Sequence, residues 1–273
     1  MLRKILIHLG IPLLLPTRVM PLFDLTGKVA LVTGGGRGLG RAMARGFAEA
    51  GADVFISART ESKLISTHNE IHRATGRRVV HHIVDMGNRE EVKTMGEVAL
   101  KEMGRMDVLV NNAGINRPQP IDEIQDEDWD VQLEVNLSSI MALTGALIPQ
   151  MKERHWGRII HISSVLGIGS KEARNAYSAT KSALHGLSKA SALDLGPHGI
   201  TVNCIAPGPF LTDLPGKLLN DQQGQRFAEF TALGRWGTPE EIVGPTLFLA
   251  SEAASYVTGE TLLVAGCAYD RAL

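Results

Sequence analysis

Cysteine is nearly missing from this chain: Cys204 and Cys267 are its two thiols. That scarcity excludes a disulfide framework. With no Cys-x-x-Cys spacing and no histidines clustered beside either, it gives no pattern for a zinc site, and a reducing, cytoplasmic compartment is expected. An excess of one charge is missing too, since 28 basic residues face 29 acidic ones and the net charge is −1. No polybasic nucleic-acid surface or acidic tail follows from that balance, so the expected partner is a small molecule. Low-complexity tracts and internal repeats are absent. Nine histidines are present, but the densest pair, His81-His82, would point to opposite faces of a strand and so could not share one ion; no metal is expected.

The start of the chain lacks what a membrane span or an exported leader requires. In residues 1–20 the apolar stretch Ile5–Leu15 follows Arg3 and Lys4, yet its eleven residues fall short of the roughly 20 that cross a bilayer. No small-x-small cleavage site follows, and Pro12, Pro16 and Gly10 oppose a stable helix. The stretch reads as a poorly ordered extension, or as sequence upstream of a natural start at Met20, with a weak membrane-surface contact as the next reading.

What is present is alternation. A composition of 273 residues with 44% hydrophobic supports one large domain or two small ones. From Lys28 onward, short β-branched runs alternate with helically periodic segments. The runs are 28–34, 53–58, 78–85, 106–114, 157–164, 200–208 and 260–266, and a long helical stretch covers about 126–153. Seven strands so arranged predict a single α/β domain over 21–273, a doubly wound, seven-stranded parallel sheet with helices on both faces. Such a sheet binds ligands at the carboxyl ends of its strands. Polar and glycine residues recur there: the glycines after strand one, Arg59 after two, Asp85 after three, Asn112 to Gly114 after four, Ser164 after five, Pro207 and Gly208 after six.

The loop TGGGRGLG, 33–40, follows strand one and opens a helix. Gly34, Gly38 and Gly40 permit a tight turn, and the helix N-terminus offers free N–H groups and its positive dipole end to a pyrophosphate. Further along, Tyr177 and Lys181 stand four apart. Alone that spacing arises by chance in about one such chain in seven, and two i,i+4 neighbours on a helix surface would explain it. As a proton-transfer pair it has a physical rationale: a tyrosine titrating near ~10 is too weak an acid for neutral pH, and a nearby ammonium would favour its phenolate.

With these residues the chain resembles the short-chain dehydrogenase/reductase family from about Leu22 to Gly266. The resemblance rests on the T-G-x-x-x-G-x-G loop, NNAG at 111–114, Asn136 in LEVNLSS, the spacing of Ser164, Tyr177 and Lys181, and PGPFLT at 207–212. It implies a Rossmann fold and hydride transfer between a nicotinamide and a carbon bearing oxygen. Tyr177 would then be the acid/base, Ser164 would hydrogen-bond the substrate oxygen, Lys181 would also grip the nicotinamide ribose, and Asn136 would hold a proton-relaying water chain. Ser163 competes with Ser164, but strand alternation lets only one point inward, and the family spacing selects Ser164.

The cofactor would lie along Gly34, Arg37, Gly38, Leu39 and Gly40. Asp85 and Met86 would flank its adenine, Asn112, Ala113 and Gly114 its riboses, and Pro207, Gly208 and Thr212 its nicotinamide end. Ala58 stands where an NAD-binding member carries an acid, and Arg59 follows it with Arg37 nearby, so NADP(H) is expected over NAD(H). Asp53 sits at the wrong end of its strand to count against this. The last strand ends Ala265-Gly266-Cys267 where the family often has Asp-Gly-Gly.

Substrate contacts are expected from 114–120, 165–176 and about 209–235. There Arg117, Lys171 and Arg174 suit a polar or anionic substrate, although solvated loop charge explains them equally. NNAGINRPQP, GRWGTPEEIVGPTLFLAS and YVTG are similar to stretches of the gluconate 5-dehydrogenase-like and 2-deoxygluconate dehydrogenase-like branch. The 3-oxoacyl-carrier-protein reductases share most of the pattern and are the runner-up. A dinucleotide-binding regulator without turnover is the alternative of another class. A homotetramer or homodimer formed through 128–152 and 175–195 is what the resemblance implies.

Overall fold

The computed structural model describes residues 19–212 and 228–268. Most of the N-terminal extension and the middle of the 209–235 segment lie outside them. After a helical turn at Val19–Leu22, the chain forms β1 (Val29–Thr33), α1 (Gly38–Glu49), β2 (Asp53–Ala58), α2 (Glu61–Thr75), β3 (Val79–Ile83), α3 (Arg89–Met103) and β4 (Val108–Asn111). The second half contributes α4 (Asp126–Leu133), a π turn at Glu134–Ser138, α5 (Ser139–Glu153), β5 (Gly157–Ile162), α6 (Asn175–Leu195), β6 (Ile200–Pro207), α7 (Val243–Ala250) and β7 (Thr261–Val264).

All seven strands join one parallel sheet in the order β3-β2-β1-β4-β5-β6-β7. Every run read as a strand from the sequence is one, trimmed by up to three residues at an end. After Thr238 the chain winds as 3-10 over Pro239–Ile242 before α7 begins. A capping box between Thr238 and Glu241 starts that turn.

Sheet alternation explains the two-sided core. Ala30, Val32, Val54 and Ile56 pack one way against Met43 and Phe47 of α1, Leu64 and Ile71 of α2 and Leu249 of α7. Leu31, Phe55, Leu109 and Ile159 pack the other way against Val92 and Met95 of α3 and Leu143, Leu147 and Met151 of α5. Central strands β1, β4, β5 and β6 are buried throughout, whereas edge strands β3 and β7 are only partly covered. The helix running from Asp126 to Glu153 is long and apolar enough by composition to cross a membrane. Its Leu143, Leu147 and Met151 are fully buried against the sheet, which accounts for that apolarity.

Two local features shape the site. Within the long helix the π turn carries Asn136, fully buried, at the centre of an irregular ladder. Beyond β7, Gly266 and Cys267 both adopt φ of 57°. A cysteine thus occupies a left-handed conformation that glycine takes freely, at a cost of roughly 1–2 kcal/mol. This is the structural content of the departure from Asp-Gly-Gly: the bend is kept, with the Gly266 carbonyl accepting from Ala232 N–H at 2.8 Å.

Candidate active site

The chain leaves β3 at one edge, crosses beneath α3, and re-enters the sheet as β4 on the far side of β1. The order of strands therefore reverses between β1 and β4, and a crevice opens above their carboxyl ends. A cavity of about 990 Å³ lies there. Each residue expected from the sequence to hold cofactor borders it, from Gly34 to Thr212.

The glycine loop is built for close approach. Gly34 has φ of 68°, and a Cβ on it would come within 2.7 Å of Asn112 Nδ2. A Cβ on Gly40 would come within 2.3 Å of the Gly34 carbonyl oxygen. Thr33 and Asn112 stitch this loop to β4: Thr33 Oγ1 accepts from the Asn112 and Ala113 amides at 3.0 and 3.1 Å, and Asn112 Nδ2 donates to the Thr33 carbonyl at 2.8 Å. The side chain of Asn112 is thereby tied to the loop while the residue borders the cavity. Arg37 precedes α1 without capping it through its side chain, so the helix N-terminus faces the cavity with donors that suit a pyrophosphate.

At the β2 end, Arg37, Arg59 and Lys63 border the same cavity beside Ala58. Lys63 was not singled out in the sequence. It lies four residues beyond Arg59, one turn along α2, and its Cβ sits 3.3 Å from where a Gly36 side chain would begin; that spacing was the available signal. Asp53 is at the opposite end of β2, paired with Arg77 at 2.7 Å. Asp85 borders the cavity and also closes its own turn, accepting from the Gly87 amide at 2.9 Å. A glycine cradle, a free helix N-terminus and three cations fit a phosphorylated dinucleotide.

Ser164, Tyr177 and Lys181 border the cavity together, brought there by the end of β5 and the first turns of α6. Ser163 turns away: its hydroxyl donates to the Lys181 carbonyl at 2.9 Å and lies 2.7 Å from His185 Nε2. That leaves Ser164, which accepts from the Leu166 amide at 3.1 Å, as the serine of the site. Asn136 stands behind the wall. Its Oδ1 accepts from the Ile115 amide and its Nδ2 donates to the Ile115 carbonyl, both at 2.9 Å, so it clamps the loop after β4.

Burial acts on both members of the pair. Lys181 is buried and donates to the Ile162 carbonyl at 2.7 Å, and its Nζ sits 5.7 Å from the Tyr177 ring centroid. Burial lowers its own pKa to about 8. Burial pushes the Tyr177 hydroxyl above its usual value, while Ser164 and the Arg174 guanidinium pull it back down. Arg174 is thus a cation beside the tyrosine that the sequence reading did not assign to it.

The substrate side is less basic than the sequence implied. Lys171 and Arg174 border the cavity, with Glu172 between them. Arg117 instead pairs with Asp128 at the start of α4 and does not border the cavity. Phe230 and Trp236 add an apolar wall from the segment before α7.

A doubly wound sheet with a phosphate-cradling loop and a Ser-Tyr-Lys set at its switch point defines a Rossmann-type protein whose cleft is equipped for proton transfer. Residues 28–223 match the family model described as short chain dehydrogenase, and the chain belongs to that family of oxidoreductases. It is 40% identical over 243 residues to the 3-oxoacyl-acyl-carrier-protein reductase of Escherichia coli, spanning 89% of this chain and 98% of the relative. It is 36% identical over 246 residues to the gluconate 5-dehydrogenase of Gluconobacter oxydans, spanning 90% and 96%. Among solved structures, the gluconate 5-dehydrogenase of Burkholderia cenocepacia, in complex with NADP and tartrate, superposes with a TM-score of 0.88 at 35% identity, covering 93% of this chain and all of that one.

Proposed function

We propose that the protein interconverts a secondary alcohol and a ketone, preferring NADP(H), on a polar hydroxy or keto acid of the sugar-acid class. The observation that carries this reading is the placement of Arg174 and Lys171 in the same cavity as Tyr177: a carboxylate held there would lie within the substrate's length of the proton donor. The relative co-crystallised with tartrate, a hydroxy acid, supports it.

When bound, the nicotinamide supplies or accepts the hydride. In the reductive direction Tyr177 gives its proton to the carbonyl oxygen as that oxygen gains negative charge, and Ser164 donates a hydrogen bond to the same oxygen. Its raised pKa keeps Tyr177 protonated at neutral pH, the form that reduction needs. Lys181 contributes a cation at the floor of the cavity and would hold ribose hydroxyls. Asn136 fixes the Ile115 segment against α6 and, through it, the cavity wall. Arg37, Arg59 and Lys63 would take a 2′-phosphate, and Gly34 to Gly40 the pyrophosphate.

The enzyme is further proposed to be cytoplasmic and a homotetramer or homodimer. Exposed Leu262 and Leu263 on edge strand β7, and Met141 and Leu193 on α5 and α6, support subunit contacts.

The test is a panel of sugar acids, neutral polyols, simple ketones and acyl thioesters assayed with NADPH and NADH, together with Arg174→Ala. The expected result is preference for a carboxylate-bearing substrate with NADPH, and a KM raised about tenfold or more by the variant for acids only, as loss of a charged hydrogen bond gives. Acyl thioesters turned over best, with Arg174→Ala silent, would instead assign the acyl reductase activity.

A further inference from the structure

Away from the cleft, at the β3 edge of the sheet, histidines meet that the sequence keeps apart. His68 on α2 and His81 on β3 bring their Nδ1 atoms to 3.2 Å, with rings perpendicular and centroids 5.2 Å apart. Both side chains are half-buried and reach solvent. His72, one turn beyond His68, has its ring centroid 6.3 Å away and directs its own Nδ1 to the Arg77 carbonyl at 3.0 Å. Among the described residues no three metal-ligating side chains converge, so His68 and His81 stand as a pair.

The separation of that pair has a second meaning besides a hydrogen bond. Two metal–nitrogen bonds of about 2.0–2.1 Å at a tetrahedral angle set their donor atoms about 3.3 Å apart. The Nδ1 atoms already stand at that spacing, on two elements held rigidly by the core packing of Leu64, Ile71 and Val79. Imidazole nitrogens select zinc, nickel and copper over magnesium and calcium.

We propose that His68 and His81 form a two-imidazole site for an exchangeable divalent zinc, nickel or copper ion that clamps α2 to β3, with water filling the remaining positions. On binding, the proton shared between the two Nδ1 atoms moves to Nε2 of its own ring, and both Nδ1 lone pairs go to the ion. A histidine pair elsewhere in the described residues serves as an internal control: His155 and His198 are stacked, with planes at 26° and centroids 6.1 Å apart, so they present ring faces to each other.

Calorimetric titration of the full chain, stripped with EDTA, with Ni2+ and separately with Zn2+ tests the site. One binding event per chain is expected, weakened at least about tenfold by His68→Gln or by His81→Ala, since even losing a ligand's outer-shell partner costs about 10–100-fold, and retained in His155→Ala. Circular dichroism melts check that each variant is folded, and His68→Gln alone decides the matter if His81→Ala does not fold. An isotherm unchanged by His68→Gln, or a wild-type chain that binds neither ion, overturns the proposal.

Discussion

The two ends of the same seven strands use the same kinds of residue for opposite purposes. At the amino ends, charge is spent within the chain. Asp107 is fully buried ahead of β4, where it accepts from the Val29 amide at 2.9 Å and from Arg105 Nε at 3.0 Å and pairs with Arg154. Arg158, buried at the start of β5, donates to the Gly157, Gly199 and Ser251 carbonyls and faces Glu252. At the carboxyl ends, Arg37, Arg59, Lys63, Ser164 and Tyr177 border open space. Polar residues become a site where strand direction and the β1/β4 reversal leave a crevice beside them. Where loops pack across the strand starts, the same groups become fasteners.

The sharpest way to break this contrast is to remove one group from each end. Tyr177→Phe deletes a single oxygen at the open end. It should cut kcat/KM by about a thousandfold, within the range of lost acid/base catalysis, while dinucleotide binding by fluorescence and the melting temperature stay as in wild type. Retained turnover would remove the open end as the reaction site. Asp107→Ala at the closed end should do the reverse. Two guanidinium groups and an amide lose their acceptor, costing about 3–5 kcal/mol and lowering the melting temperature by about 10 °C. Activity per folded molecule should hold, and a kcat that falls in step with stability would show that the two ends are not independent.

A third prediction concerns the middle of the sheet. His161 is fully buried in β5 with Nδ1 against Asn111 and no partner for Nε2. Burial, with Lys181 adding repulsion, lowers its pKa from 6.5 to about 4. Between those values the unfolded chain binds a proton that the folded one refuses, so stability rises with pH across that window. Its contribution is complete above 6.5 and is lost on acidification, by up to about 3 kcal/mol. Denaturant melts from neutral pH downward should show that loss, and His161→Leu should flatten it. Equal acid sensitivity in the variant would place the loss elsewhere.

Strand and helix order was readable because short β-branched runs alternate along the chain with helically periodic segments. The β1 loop and the Ser164-Tyr177-Lys181 set were readable because their spacing is local. What escaped depends on contacts between elements. Lys63 becomes a cavity cation only once α2 is docked beside Gly36. Arg117 looked like a substrate contact, but Asp128 in the first turn of α4 pairs with it. Asn136 was legible as a site residue, but the clamp its amide makes on Ile115 and Thr180 was not. The His68–His81 encounter spans a helix and an edge strand, so no local spacing in the sequence announces it.

The π turn at Glu134–Ser138 makes the long helix a counter of residues as well as a scaffold. One residue more than an α turn holds is accommodated there, so the turn sets the phase of everything after it. Were the same residues wound as regular α-helix, the 15 residues of α5 would rotate by about 100°, and Leu143, Leu147 and Met151 would swing off the sheet although hardly a backbone hydrogen bond would be lost. Deleting one of the five and closing the turn regularly would instead leave α5 in phase and remove the irregular position that holds Asn136.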